Sequence, residues 1–252
     1  MCEQHSDHEC VKVKVRDFAC ALEKYNSCSL YVTFEIVLAV IIIALQVVSL
    51  IHLVQTYEYH GGLMLLITLL TAYLATDFIN GIVHMIVDNN TNYTSIVGPF
   101  IASFHVHHFK LRYTERHPLH LYFTESSHKF WLFIYLILLT ISQKHLKLDA
   151  NLNLGLVLFG ILSSIAELSH YWCHNARKTD KVISFLQKYH VLLSLKHHRL
   201  HHIEDNKNYA FLNGMSDPLL NIIARTYFKG YKNNSDKHVA LYFKNLDQHS
   251  AQ

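Results

Sequence analysis

The sequence predicts an all-α integral membrane protein of about four transmembrane helices with a histidine-rich cytosolic helical cap. Three observations lead there. Long apolar runs recur along the 252 residues. Charged residues make up only 16% and hydrophobic ones 51%, against roughly 25% charged in soluble chains. And 15 of the 21 histidines fall between His84 and His202. The aromatic share of 12% suits a bilayer protein with interfacial rings. A net charge of +3 is too small to argue for a nucleic-acid partner. Cys2, Cys10, Cys20, Cys28 and Cys173 are odd in number and form no C-x-x-C pair, which points to a reducing face rather than a disulfide framework.

Residues 1–28 are polar and mixed in charge, lack the apolar core of a secretory signal, and read as a tail or short surface helix. Tyr31 to Val54 is the first apolar run, of a length that suits a membrane helix, which needs about 20 residues. A short turn with His60-Gly61-Gly62 leads to the second run, Gly62 to Val87, which carries Asp77, Asn80 and His84 near its end. Asp88 to Lys129 is a polar, histidine-rich connection. Phe130 to Ile141 is a third, 12-residue stretch, whose flanking Lys129 and Lys144 could snorkel to the two surfaces and extend it to roughly 21 Å. Leu152 to Cys173 is the fourth run, with Glu167 and His170 near its end. The expected organisation is therefore a tail over 1–28, a membrane-embedded domain over 29–220 and a polar C-terminal tail over 221–252.

If all four runs cross, the ends of the second and fourth emerge on one side, and every histidine cluster meets the same compartment. The first turn carries no Lys or Arg, whereas the histidine side carries Lys110, Arg112, Arg116, Arg177, Lys178 and Lys181. The positive-inside rule makes that side cytoplasmic. Lys144 and Lys147 on the opposite side are a modest counter-signal.

The chemistry-bearing residues lie around these ends. Asp77, His84 and Asp88 are spaced i, i+7, i+11 and share one helical stripe. Ionisable groups at membrane depth normally face a functional interior, although Asp77 and Asn80 would equally serve to bind helices together. His105-Val106-His107-His108, followed by His117 and His120, supplies adjacent imidazoles that can address two metals; taken alone, a solvated loop explains them too. His170 and His174 form an i, i+4 pair, a recurrent metal-binding geometry. On a helix, His190, His197 and His201 form one stripe and His198 and His202 its neighbour. Five imidazoles in thirteen residues exceed what a pH sensor or a solvated face needs. His84, His107, His108, His117, His170, His174, His190, His197, His198, His201 and His202 are thus ligand candidates, too many for one metal and about right for two. Asp88 and His117 are also candidates for a direct catalytic role.

At these residues the chain resembles the Kua-type, CarF-like lipid desaturase family, over roughly Thr76 to Leu220. The resemblance is carried by Asp77-Phe78-x-x-Gly81-x-Val83-His84-x-x-x-Asp88, Phe104-x-x-His107-His108, Arg116-His117 and His170-x-x-x-His174. It continues through His190-Val191-x-Leu193-x-x-Lys196-His197-His198-Arg199-x-His201-His202. The chain departs from the family at His105 (commonly Arg), Val106 (Glu), Asp205 (Pro) and Asn206 (His in some members). The resemblance implies two Fe2+ ions, O2 as oxidant and removal of two hydrogens from a membrane lipid chain, in one branch next to an ether oxygen to give the vinyl ether of plasmalogens. It also implies an external electron donor, such as cytochrome b5 or a ferredoxin-like protein, and the chain has no glycine-rich nucleotide motif of its own. A di-iron hydroxylase shares this chemistry up to the radical. A histidine-rich metal transporter or sensor is the reading from another class, and it would place ligands deep inside several helices.

Overall fold

The structure is a computed structural model and describes residues 2–109, 117–125, 127–175 and 180–250. Among these residues it is helical throughout, without strands. Lys110, Arg112, Arg116, Arg177 and Lys178, which carry most of the expected charge bias, lie outside the described residues.

Three stretches are long and apolar enough to cross a membrane: α2 (Ser29–Thr56), α3 (Gly62–Asp88) and Ala150–His174. The last comprises α7 (Ala150–Ser164) and α8 (Ala166–His174), with a local break at Ile165. Asp149 opens α7 by accepting from the backbone N–H of Asn151 and Leu152. A further apolar helix, α6 (Phe130–His145), has 16 residues rather than the 12 expected from its apolar run, which makes it about 24 Å long. Its polar extension is helical because it is bonded to its neighbours. Gln143 is buried and donates to Asn153 Oδ1 (2.8 Å) and the Ser49 carbonyl (3.2 Å). Lys129, expected to snorkel, is instead only 2% exposed. It lies beside Glu167, Glu35 and Glu125 and over the Tyr122 ring, and burial lowers its ammonium pKa to about 8.

The bundle packs α2 against α6 and α7, and α3 along α7. Leu38, Ile42, Leu132, Leu136, Leu139 and Val157 form its core. At Gly160 a Cβ would stand 3.0 Å from Leu136, so this glycine sets how closely α6 and α7 approach. Val40, Ile51, Val54, Leu66 and Leu70 point outward and exposed, as the lipid-facing side of such a bundle requires.

The two segments read as tails are helices with buried faces. In α1 (Cys2–Ser27), Phe18, Ala21 and Leu22 are buried with Ile101, Ala102 and Val106 of α4 (Gly98–Phe109) and Val239 of α12 (Ser235–Ser250). The spacing 18, 21, 22, 25 is an amphipathic stripe that the polar composition masks. Tyr25 also ties α1 to α2, donating to the buried Glu35 (2.9 Å). The remaining helices are α5 (Pro118–Thr124), α9 (Lys181–Lys188), α10 (Leu195–Ile203) and α11 (Asp217–Tyr227).

Candidate metal centre

Four helices deliver imidazoles to one place. The last turns of α3 bring His84 and Asp88, the end of α4 His107 and His108, α8 His170 and His174, and α10 His198, His201 and His202. The start of α10 is fixed by Ser194, whose Oγ accepts from the His197 N–H (3.2 Å). The loop after α10 is fastened to α3 by Asp77. One of its carboxylate oxygens accepts from the N–H groups of Leu212 (3.0 Å), Asn213 (2.9 Å) and Gly214 (3.2 Å). The other accepts from Ser216 N (3.0 Å) and Oγ (2.7 Å). Asp77 therefore positions a loop and stands behind the site. That loop presents Phe211, whose ring stacks on His170 at 4.4 Å and lies 4.2 Å from His84.

The imidazoles gather into two adjoining groups. In the first, ligand atoms of His107, His170, His174 and His202 lie within 4.8 Å of one another. His198 belongs with them, its Nε2 standing 3.0 Å from His170 Nε2, 3.1 Å from His174 Nε2 and 2.9 Å from His202 Nε2. In the second, His84, Asp88, His108 and His201 converge within the same limit. Asp88 lies 3.1 Å from His84 Nε2, 3.4 Å from His108 Nε2 and 3.3 Å from His201 Nε2. The groups touch: the His107 and His108 ring centroids are 4.3 Å apart, and those of His201 and His202 5.3 Å.

In five of the rings a partner on the far side sets which nitrogen faces inward. Nδ1 of His84 donates to the Tyr209 carbonyl (2.8 Å), that of His107 to the Phe104 carbonyl (2.6 Å) and that of His201 to the Lys207 carbonyl (2.9 Å). His108 Nδ1 bonds Asp236 (2.7 Å) and His170 Nδ1 lies 3.4 Å from Glu167. A proton fixed on Nδ1 leaves the Nε2 lone pair free to bind a cation, the arrangement that metal-ligating histidines use. The Lys207 carbonyl is held by a tight turn in which Asn206 and Asn208 take φ of 49° and 58°, a left-handed conformation that asparagine tolerates.

The electrostatics agree for four of the rings. Burial, reinforced by neighbouring imidazoles, pushes His107, His198 and His202 well below the usual histidine range and His201 to about 3. These rings are neutral near pH 7. His108 goes the other way: burial lowers it, but the Asp88 and Asp236 carboxylates outweigh that and raise it to about 9. Nε2 of His84, His108 and His201 and both Asp88 oxygens are buried, facing one another and with no hydrogen bond outside this group. Polar atoms stranded in this way are costly, and a cation at their centre would satisfy all of them. Imidazole with carboxylate suits iron, zinc, copper or nickel.

Three histidines named from the sequence stand outside both groups. His117 is exposed and caps α5, its Nδ1 accepting from the Leu119 N–H (3.3 Å). His190 is exposed just past α9, in a left-handed turn with φ 56°. His197 bonds Asp217 (2.5 Å) and packs under the 212–216 loop, where a Cβ on Gly214 would meet it at 2.8 Å. Of the family departures, His105 faces away from the groups, bonded to the Val87 carbonyl (2.8 Å) and Tyr93 (3.0 Å). Asp205 accepts from the Tyr231 N–H (3.0 Å). Asp236 and His128, whose Nε2 lies 3.1 Å from Glu167, are supporting residues that the sequence reading missed. Asp236 lay in a presumed tail and His128 in no recognisable spacing.

Residues 73–228 match the model of the lipid desaturase domain family. The chain is similar to plasmanylethanolamine desaturase of Myxococcus xanthus, 29% identical over 194 residues that cover 73% of this chain and 66% of that protein. It is also similar to plasmanylethanolamine desaturase 1 of Mus musculus, 25% identical over 170 residues that cover 64% of this chain and 61% of that protein. The chain thus spans just under two thirds of the length of these curated relatives. No solved structure matches it. The family match takes in more than half of the chain and the ligand-bearing part of all four helices, and the chain therefore belongs to the lipid desaturase domain family.

Proposed function

We propose that this chain is a membrane lipid desaturase with a two-iron centre, and that it forms the vinyl ether of a plasmalogen from a plasmanyl lipid. The observation that carries the reading is the pair of adjoining groups, with inward Nε2 atoms and Nδ1 protons tied down behind them. His84, Asp88, His108 and His201 would hold one ion, and His107, His170, His174, His198 and His202 the other. Bound iron would supply the O2 activation needed to remove two hydrogens from an unactivated carbon pair. The balance is O2 plus two hydrogens from the lipid plus two electrons and two protons to two waters, so an external donor of the cytochrome b5 or ferredoxin kind must provide two electrons. The relatives' names supply the ether-lipid substrate.

In this reading α2, α3, α6 and α7–α8 all cross the bilayer, with the ligand-bearing ends and the cap of α1, α4, α10 and α12 on the cytoplasmic side. The protein's own groups would hold the ions, keep His107, His198, His201 and His202 neutral and exclude water behind Phe104 and Phe211. The test is expression of the full chain in a host without vinyl-ether lipids, with total lipid mass spectrometry and iron analysis of the purified protein. Loss of two hydrogens from plasmanyl lipid, together with about two irons per chain, is expected. His201→Ala should abolish the product and lower the iron. Unchanged product and iron in that variant would refute the assignment, and gain of one oxygen would identify a hydroxylase.

A further inference from the structure

Beside the metal groups lies an apolar cavity of 330 Å³ between α3, α4 and the start of α6. Its exposed rim includes Ile86, in the last turn of the long apolar helix α3, and Val97, in the turn before α4, 51% and 52% exposed. Its inner wall includes Ile101 and Phe104, only 6% and 8% exposed. Val83 and Trp131 line the passage between. The Phe104 ring is the layer that separates the cavity from the imidazoles, 4.7 Å from His107 and 5.9 Å from His84. Asn90 and His128 are the polar groups of the lining, and His128 is coupled through Glu167 to His170.

We propose that this cavity takes one hydrocarbon chain of a bilayer lipid, admitted sideways from the membrane between α3 and α4, and that Phe104 is the gate before the metal groups. This rests on the desaturase reading and names where its substrate lies. The lining offers a soluble polar ligand little to bind. In that reading the mouth lies where an apolar helix face would meet the headgroup region, so a chain would enter without crossing water. Rotation of a single ring then brings its carbons to the imidazoles.

The experiment uses the full chain in phosphatidylcholine vesicles containing a phosphatidylethanolamine whose palmitoyl chain carries a terminal diazirine. After irradiation, adducts are mapped by peptide mass spectrometry. Lipid-facing Leu66 and Leu70 are labelled whatever the cavity does. Adducts on the buried Ile101 and Phe104 are expected only if a chain enters. Val83→Trp, which fills the passage, should cut the Ile101 and Phe104 adducts by about tenfold while leaving those on Leu66 and Leu70 unchanged. Val97→Trp at the exposed rim should do the same without disturbing the core. Adducts confined to the exposed positions, or inner adducts indifferent to both tryptophans, would overturn the proposal. Inner adducts in a protein that makes no desaturated lipid would uphold the chain site and reject the desaturase reading. Product formed without inner adducts would do the reverse.

Discussion

Replacing Asp77 with alanine tests whether the loop behind the site depends on one carboxylate. The change removes the acceptor of four backbone N–H groups, of Leu212, Asn213, Gly214 and Ser216, and of the Ser216 hydroxyl. The hydroxyl can turn to another partner and the backbone donors cannot. Leu212 and Asn213 are buried and Gly214 and Ser216 half-buried. At about 1–3 kcal/mol for each stranded donor, with the half-buried pair at the low end, the loss is about 5 kcal/mol. That is comparable to the whole stability of many domains, which is about 5–15 kcal/mol. Asp77→Asn keeps the oxygen that serves three of the donors and sets its amide against Ser216 N–H, at a cost of about 2 kcal/mol. In detergent micelles the alanine variant should melt about 10 °C or more below the parent, with asparagine in between. Its metal content should fall as well, because the loop carries Phe211 against His170 and His84. An alanine variant with the parent's melting temperature and full metal content would show that the loop is held by other contacts.

Three further outcomes follow from the same geometry. His117→Ala and His190→Ala should leave metal content and product at parent levels, measured by elemental analysis and lipid mass spectrometry, because both rings are exposed and outside the two groups. Asp236→Asn should weaken metal retention against a chelator by about 10- to 100-fold, since it replaces the carboxylate behind His108 Nδ1. Lys129 gives a pH signature. Its ammonium titrates at about 8 in the folded chain and at 10.5 when unfolded, so between these values the unfolded state binds more protons and stability rises with pH. The rise is worth about 3 kcal/mol, and Lys129→Met should remove it from melting temperatures recorded from pH 8 to pH 10.

The membrane helices were legible because α2 and α3 turn apolar surface outward over their full length, and such runs declare themselves. The end of α6 was not, because Gln143 looks like a helix end until Asn153 and Ser49 are known to receive it. Helix α12 escaped notice, and α1 read as no more than a tail or short surface helix, because their apolar stripes are thin and set among charges. Their partners, Ile101 and Val106, lie far away in sequence. For the site, the i, i+4 pairs and the stripes of α10 pointed to helices whose imidazoles the structure brings together. Spacing fixes which residues share a face and not which face turns inward. His197 and His201 share a stripe, yet one meets Asp217 at the edge and the other is wholly buried. His117 illustrates the same limit: next to Pro118 its role is to cap a helix.

Three of the ligand-candidate imidazoles are oriented by main-chain carbonyls, at Phe104, Lys207 and Tyr209. A carbonyl is supplied by any amino acid, so at these positions the aim of the ring depends on the course of the chain rather than on the identity of the supporting residue. Substituting Lys207 by another residue that tolerates the same backbone would leave His201 pointed as before. At such a position the centre is insulated from drift in its surroundings, and a mutational scan would find Lys207 silent where Asp236 and Glu167, which meet His108 and His170 through their side chains, are not.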